Sequence, residues 1–302
     1  MSIKKLALAL LVVSLSCFSC EQYEDYTNDY KYTAVYFASQ KPLRTVVARG
    51  DMQFKFGVAL GGVRANTEGY WAEYQVDTSL LSTVPGADQF ELLPESYYSL
   101  SDENRFNIPE GEVIGDVTLT LDREEFTSDP RAHSNTYALP VKITKTSADT
   151  ILQGGDGVDS LDYSVIVVKY MSPYAGAYYH KGVEKQLNEE GEVVYESVFR
   201  DKDLSRNRVL ETSTVSVDTI LTNGMGDDRG GGLQLAINED NSVDIDYKGS
   251  TATFESGQGT YDPENTSFYL NYYFTVSGDL YEVEDTLILR QDPEEALRFE
   301  EW

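Results

Sequence analysis

The sequence has few of the residues that build metal and thiol sites. Its 302 residues include two cysteines and two histidines, and both cysteines, Cys17 and Cys20, lie before residue 21. This scarcity argues against zinc centres, a disulfide framework and thiol catalysis. His133 and His180 have no second histidine at a ligand-like spacing. Each is therefore expected to be an ordinary surface or hydrogen-bonded histidine rather than a metal ligand or catalytic base.

Positive charge is scarce as well. The chain carries 24 Lys and Arg against 51 Asp and Glu, which gives a formal net charge of −27. Such an excess of acid repels phosphate backbones, so we expect no nucleic-acid partner. The hydrophobic share of 41% is that of a globular protein. The length favours two domains over one.

The longest apolar run lies at the start of the chain and is too short for a permanent membrane span. A basic start at Lys4 and Lys5 precedes the apolar residues 6–15, which is the layout of a secretory signal. We predict that residues 1–19 form a signal peptide and that Cys20 accepts the lipid. Cys17 is the alternative acceptor, and ordinary secretory cleavage near Cys20 is the alternative to lipidation.

Residues 20–30 would then form a tether between the lipid and the folded chain. Their acidic residues at positions 21, 24 and 25 resemble the surface-export signal of lipoproteins in the Bacteroides group. The resemblance implies an outer-membrane protein that faces the cell exterior and contacts the membrane through its lipid anchor only. Removal of Lys4 and Lys5 would change the net charge from −27 to −29.

Strand-like alternation of apolar residues dominates residues 31–171. Phe54, Phe56 and Val58 alternate with polar residues or glycine, and the apolar run 165–168 is typical of a strand buried on both faces. Short strands separated by turn signals predict an immunoglobulin-like β-sandwich. Residues 149–162 are rich in Asp, Gly and Ser, and we interpret them as a flexible loop.

Residues 174–302 are expected to form a second all-β domain, an antiparallel meander closed into a lipocalin-like barrel, because closure protects strand edges. The glycine-rich segment 224–232 is predicted to be a long mobile hairpin loop. The predicted strands are 178–183, 193–199, 208–221, 233–237, 243–247, 251–254, 268–276 and 281–289. The residues predicted to point inward are Leu233, Leu235, Ile237, Val243, Ile245, Tyr247, Phe268, Leu270, Tyr272 and Phe274. Those predicted to point outward are Asp244, Asp246, Asn271, Tyr273 and Thr275.

Several short motifs resemble a family of Bacteroides surface lipoproteins: Phe90–Pro94, Tyr97–Leu100, Ile108–Gly111, Tyr137–Val141 and Tyr174–Tyr178. The stretch 257–290 is similar to the calycin-like barrel found in that family. The resemblance implies an N-terminal immunoglobulin-like domain of unknown function followed by a C-terminal β-barrel. It also implies an association with outer-membrane glycan-uptake systems, and it offers no catalytic residues to transfer.

The sequence contains no nucleophile elbow, phosphate loop or dinucleotide fingerprint. We therefore expect a protein that is not an enzyme and has no cofactor. A glycoside hydrolase is the less favoured alternative, because carboxylates are plentiful but spread over the chain. Asp156, Asp159 and Asp162 form a weak calcium candidate in one loop. A solvated loop without metal is the favoured interpretation.

Aromatic residues supply the remaining candidate sites. Alternation puts Trp71, Glu73 and Gln75 on one strand face, where an indole could stack on a sugar while polar groups bind its hydroxyls. The alternative is that Trp71 packs under a neighbouring segment. A second platform is predicted from four further aromatic residues, although tyrosines are also ordinary on strand surfaces. These residues are Tyr178, Tyr179, Tyr269 and Tyr273.

The sequence thus favours a non-catalytic glycan-binding lipoprotein that serves an outer-membrane polysaccharide-uptake system. The acidic charge favours a neutral polysaccharide or oligosaccharide over an acidic one. An outer-membrane transporter complex is the expected protein partner. The alternative is a protein-interaction, scaffold or adhesion module of the cell surface whose aromatic residues are structural.

Overall fold

The structure is a computed structural model that describes residues 32–155 and 159–302. The predicted signal peptide, Cys17, Cys20 and the tether at 20–30 lie outside the described residues, as does Asp156.

The N-terminal domain is a sandwich of two sheets. One sheet has the order β10-β1-β3-β8-β6, and the other runs β2-β11-β9-β4-β7 with β5 alongside β9. The short helices α1 (Leu80–Thr83) and α2 (Arg123–Ser128) lie between strands. The strands are β1 (Ala34–Tyr36), β2 (Pro42–Val47), β3 (Gln53–Gly61), β4 (Tyr70–Val76), β5 (Glu91–Leu92), β6 (Tyr98–Leu100), β7 (Arg105–Ile108), β8 (Ile114–Leu121), β9 (Tyr137–Thr146), β10 (Thr150–Ile151) and β11 (Tyr163–Met171).

Alternating apolar side chains from both sheets fill the space between them. Phe56 and Val58 of β3 face Tyr74 of β4 and Phe106 of β7 in one buried cluster. The Tyr74 and Phe106 rings stack with their centroids 4.4 Å apart, and Phe56 meets Phe106 edge to face at 5.6 Å. The predicted β-sandwich is confirmed.

Two central strands are buried on both faces. α1 and the turn after it cover the outer side of β9 and β11 with Leu80, Val84 and Phe90, so every residue from Val165 to Val168 is buried, as predicted. The segment 149–162 departs from the prediction, because residues 150 and 151 form β10 and pair in parallel with β1. Part of the predicted flexible loop therefore belongs to a sheet.

The C-terminal domain is a closed antiparallel barrel. Its eight strands, β12 and β14 to β20, pair in chain order, and β20 returns to pair with β12. β13 pairs with the second half of β12 and extends the sheet beyond the ring. The strands are β12 (Ala177–Leu187), β13 (Val193–Phe199), β14 (Arg208–Ser216), β15 (Thr219–Thr222), β16 (Gly232–Ile237), β17 (Ser242–Lys248), β18 (Thr253–Asp262), β19 (Ser267–Val276) and β20 (Asp279–Leu289).

The predicted strand faces are confirmed, whereas three strand lengths are wrong, since β12 also continues beyond the predicted 178–183. Every residue predicted to point inward is buried or half-buried, and Asp244 and Asp246 are exposed. The predicted strand 208–221 is two strands, because a tight turn at residues 217–218 lets Ser216 pair with Thr219. β18 continues well beyond residue 254, since Gly257 and Gly259 pack closely against β19.

The glycine-rich segment 224–232 is packed against the barrel, which corrects its prediction as a mobile loop. Met225 is buried, and the Gly226 amide donates a 2.8 Å hydrogen bond to the hydroxyl of Tyr272 inside the barrel. Gly226 has a φ of +47°, and a Cβ there would lie 2.5 Å from a carboxylate oxygen of Glu184. A side chain at this position would be strained, so glycine suits the point where the segment closes the barrel end.

The last residues of the chain return to the sandwich. After α3 (Pro293–Ala296), strand β21 (Glu300–Glu301) pairs with β2 at the edge of the sandwich sheet. The sequence instead predicts that all of residues 174–302, including this segment, belong to the barrel domain. Such long-range pairing leaves no local signal in the sequence. No helix among the described residues is long and apolar enough to cross a bilayer.

Candidate functional site

The four predicted platform tyrosines do not share a surface. Tyr178 is 1% exposed and points into the barrel, where its hydroxyl donates a 2.6 Å hydrogen bond to the Tyr174 carbonyl. Burial raises its pKa, so the phenol stays protonated. Tyr178 is a core residue, and its assignment to a sugar platform is wrong. Adjacent residues in a strand point to opposite faces, so Tyr178 and Tyr179 could not both lie outside.

Tyr269 is the most exposed of the four and lies in a groove on the outer face of the barrel. Its side chain is 47% exposed. The strand register places it between Thr260 of β18 and Thr286 of β20. The next register position brings Gln258, Asn271 and Glu284 into a second row.

The groove has a volume of about 670 Å³ and crosses strands β17 to β20. Its lining combines one exposed aromatic ring with amide, hydroxyl and carboxylate groups. Side chains along a strand point alternately to its two faces. The inward side chains of these strands belong to the barrel core, so the groove is lined by the side chains that point outward. The outward lining side chains are Ser242, Asp244, Gln258, Thr260, Tyr269, Asn271, Glu284 and Thr286.

Tyr273 lies beyond the end of the groove and is held by an ionic network. Its hydroxyl donates a 2.6 Å hydrogen bond to Glu282, and Lys185 lies 3.0 Å from Glu284 and 3.6 Å from Glu282. The hydrogen bond to Glu282, together with burial, raises the pKa of Tyr273. Tyr179 lies elsewhere on the outer face, beneath the Arg290 guanidinium at 5.9 Å. Of the four tyrosines, Tyr269 is the one that the structure places in the groove.

The Trp71 face lies on the sandwich and is already occupied by cations. The Arg105 guanidinium lies 4.6 Å from the indole centroid and the Lys145 ammonium 5.6 Å away. Arg105 also forms a 3.0 Å ion pair with Glu73, while Gln75 is exposed. A cation over the face of an indole ring is attracted to it by a cation–π interaction. A sugar would have to displace them before stacking on Trp71.

The barrel end beneath the segment 224–232 contains a buried polar cluster. The His180 and Asp285 side chains are both fully buried, with Nε2 and Oδ1 2.9 Å apart. Tyr272 donates a 2.7 Å hydrogen bond to the other Asp285 oxygen. Burial and the neighbouring Asp285 carboxylate raise the pKa of Tyr272 well above its ordinary value. Because the cluster is enclosed, it fits a structural role.

Within the calcium candidate, Asp162 is the carboxylate that protein groups engage. Asp162 is buried, accepts a hydrogen bond from Ser160 and lies 3.8 Å from the Lys142 ammonium. Within residues 32–155 and 159–302, no group of three His, Cys, Asp or Glu side chains is arranged to hold a metal ion.

Comparison with known proteins identifies the same two-domain architecture. A family model described as an N-terminal domain matches residues 26–150. A crystal structure of a Bacteroides ovatus protein of unknown function is 23% identical, covers 88% of this chain and 96% of its own, and superposes with a TM-score of 0.71. The comparisons confirm the resemblance to Bacteroides proteins in which an N-terminal domain precedes a β-barrel. A search of curated proteins finds no match.

More distant structures are similar over long stretches but superpose poorly. A second Bacteroides ovatus protein of unknown function is 12% identical over 90% of this chain and 100% of its own, with a TM-score of 0.44. A candidate carbohydrate-binding protein from Bacteroides ovatus is 14% identical over 71% of this chain and 67% of its own, with a TM-score of 0.33. Superpositions this poor carry no functional argument.

Proposed function

We propose that this protein is a non-catalytic, glycan-binding surface lipoprotein and that the groove around Tyr269 is its binding site. The observation that carries the proposal is the exposed Tyr269 ring set among polar side chains on the outer face of the barrel. The protein would serve a polysaccharide-uptake system and would work beside an outer-membrane transporter.

The groove contains the groups that sugar recognition requires. A pyranose ring presents an apolar face that can stack on Tyr269, because aromatic rings bind flat apolar surfaces. The amides of Gln258 and Asn271 can both donate to and accept from sugar hydroxyls, while the Glu284 carboxylate accepts. Thr286 adds a hydroxyl. These groups lie in two adjacent rows, so a linear oligosaccharide could contact several of them at once.

The overall charge limits the class of glycan. A net charge of −27 repels polyanions at long range. This favours a ligand that is neutral over most of its length. The carboxylates of Asp244 and Glu284 in the groove act in the same direction.

We predict that Tyr269→Ala weakens glycan binding about fivefold, because the lost stacking contributes about 1 kcal/mol. The measurement is calorimetric titration of soluble residues 21–302 with the oligosaccharides that score in a polysaccharide panel. Tyr195→Ala is the matched control, since Tyr195 is 60% exposed on β13 and lies outside the groove. Equal affinity of the two variants would move the site away from the groove, and Trp71→Ala then tests the sandwich face.

The membrane anchor is proposed at Cys20 and has its own test. Metabolic labelling with a fatty acid should mark the wild-type chain and leave Cys20→Ala unmarked. Continued labelling of that variant would place the anchor at Cys17. Protease added to intact cells should degrade the protein if it faces the exterior. Full protection would place it on the inner side of the membrane.

A scaffold role is the second candidate, because β13 carries an unusual set of exposed apolar residues. Val193, Val194, Tyr195 and Val198 are each at least half exposed, and exposed apolar patches often mark protein interfaces. Absence of glycan binding together with co-purification of a protein partner would support this candidate. Release of reducing sugar during the panel screen would instead support a hydrolase.

A further inference from the structure

A second cavity adjoins the groove and is lined by basic side chains. It has a volume of about 540 Å³ and shares Glu284 and Thr286 with the groove. Lys181 of β12 is the register partner of Thr286, and Arg200 and Lys202 follow β13 on the same side. In a chain with twice as many acids as bases, three cations in one cavity are an unexpected concentration.

These three cations are not neutralised by the protein. Within the described parts of the chain, Lys181, Arg200 and Lys202 form no ion pair or side-chain hydrogen bond. Other cations of the barrel differ: Arg229 is paired with Glu184, and Arg208 lies 2.7 Å from Asp228. The cavity cations therefore have their charge available for a ligand.

The two carboxylates that line the cavity are engaged by other groups. Glu284 lies 3.0 Å from the Lys185 ammonium, and Asp201 accepts a 2.8 Å hydrogen bond from the Asp203 amide. Asp201 keeps its charge, because a backbone amide does not neutralise a carboxylate. Three cations against this one carboxylate still leave an excess of positive charge, and Arg200 supplies the guanidinium donors. A guanidinium presents paired N–H groups that match the oxygens of a carboxylate or a sulfate.

We propose that this cavity recognises an acidic substituent, a carboxylate or a sulfate, on the glycan that lies in the groove. The proposal rests on the proposed function, since it assigns the substrate class of the same site. Tyr269 and Lys181 are two strands apart, and adjacent strands are about 4.8 Å apart, so their separation is about 10 Å. A short oligosaccharide can therefore stack on Tyr269 and place an acidic group between the cations.

The acidic overall charge does not conflict with this local preference. The Debye length is about 8 Å at physiological ionic strength, so distant surface carboxylates are largely screened from the cavity. A polyanion would still meet many acids along the surface. A mostly neutral glycan with occasional acidic residues would meet the cavity cations instead.

The test compares acidic oligosaccharides with their neutralised counterparts on residues 21–302. The probes are xylo-oligosaccharides with one glucuronate and the same compounds after carboxyl reduction. A second pair is 6-sulfated galacto-oligosaccharides and their desulfated forms. We expect the acidic member of at least one pair to bind about tenfold more tightly, as for a hydrogen bond to a charged group. The pair that shows the difference identifies the carboxylate or the sulfate as the recognised group.

Substitution of a cavity cation then locates the effect. Arg200→Ala should abolish most of the acidic preference and leave the affinity for the neutral member unchanged, while Arg200→Lys should retain part of it. Arg123→Ala is the control, because Arg123 is an exposed arginine on the sandwich. Equal binding of acidic and neutral members would overturn the inference and leave glycan binding intact. Failure of all four probes, with other glycans of the panel binding, would also overturn it. No binding to any glycan would overturn the proposed function itself.

Discussion

Asp129 is held by hydrogen bonds at one corner of the sandwich. Burial acts to raise the pKa of its carboxyl, but hydrogen bonds from Tyr137, from the backbone and side chain of Arg131 and from Tyr97 outweigh burial and keep that pKa at about 2. Arg131 also lies 3.0 Å from Glu91. The Asp129 carboxylate therefore connects three parts of the sandwich: Arg131 before β9, Tyr137 at the start of β9 and Tyr97 in the turn before β6.

We predict that Asp129→Asn lowers the free energy of unfolding by about 1–3 kcal/mol at pH 7, because it removes a charged hydrogen-bond acceptor from a largely buried site. The folded-state pKa of Asp129 lies below the ordinary carboxyl value of about 3.9. Its stabilisation is therefore fully present above about pH 4 and is lost as the pH falls through about 2. Urea unfolding of both chains between pH 2 and pH 7 measures this difference.

The control for Asp129 is Asp88→Asn, an exposed carboxylate of the same domain. It should change the unfolding free energy by less than about 0.5 kcal/mol. A stability difference between wild type and Asp129→Asn that stays constant down to pH 2 would show that the ionised carboxylate is not the stabilising group.

At the scale of the element, the alternation of apolar and polar residues predicts which side chains of a strand point inward. It does not predict which residues of neighbouring strands pair. The period of two identifies Leu233, Leu235 and Ile237 as inward because each strand carries that signal locally. It also separates Tyr178 from Tyr179, so the sequence itself held the evidence against a shared platform. The groove could not be predicted, because Tyr269 meets Thr286 only through the pairing of β19 with β20.

The segment 224–232 shows why composition alone misidentified an ordered element. The five glycines of this segment predict mobility, yet several of them pack closely against their neighbours. Gly226 fits beneath Glu184, and a Cβ on Gly231 would lie 2.4 Å from the Tyr247 ring. The ion pair of Arg229 with Glu184 adds a contact that connects residues 45 positions apart. Such contacts depend on the closed barrel and have no local sequence signal.

At the scale of the whole molecule, the two domains meet at Ser172 and are joined again by the C-terminal segment. The buried Ser172 hydroxyl donates a 2.6 Å hydrogen bond to the Val217 carbonyl of the barrel. Arg49 of the sandwich lies 2.6 Å from Asp292 and 3.1 Å from Glu294, which follow the last barrel strand. The chain therefore crosses between the domains twice.

Trp302 anchors that second crossing. Its ring meets Phe90 edge to face at 4.8 Å, and the Lys41 ammonium lies 4.6 Å from the ring centroid. The indole N–H donates a 2.7 Å hydrogen bond to the Val165 carbonyl in the centre of the sandwich sheet. The residue thus covers the outer face of β11 and holds β21 against β2.

We predict that Trp302→Ala destabilises the sandwich by about 2–4 kcal/mol, somewhat less than the loss of a fully buried tryptophan because the ring is only partly buried. Differential scanning calorimetry should then resolve two unfolding transitions, with the sandwich melting first and the barrel transition unchanged. Phe299→Ala is the control, since Phe299 is 61% exposed in the same segment and its loss should shift neither transition by more than about 1 kcal/mol. A lowered barrel transition in Trp302→Ala would contradict the assignment of this segment to the sandwich. An unchanged sandwich transition would show that Trp302 does not anchor it.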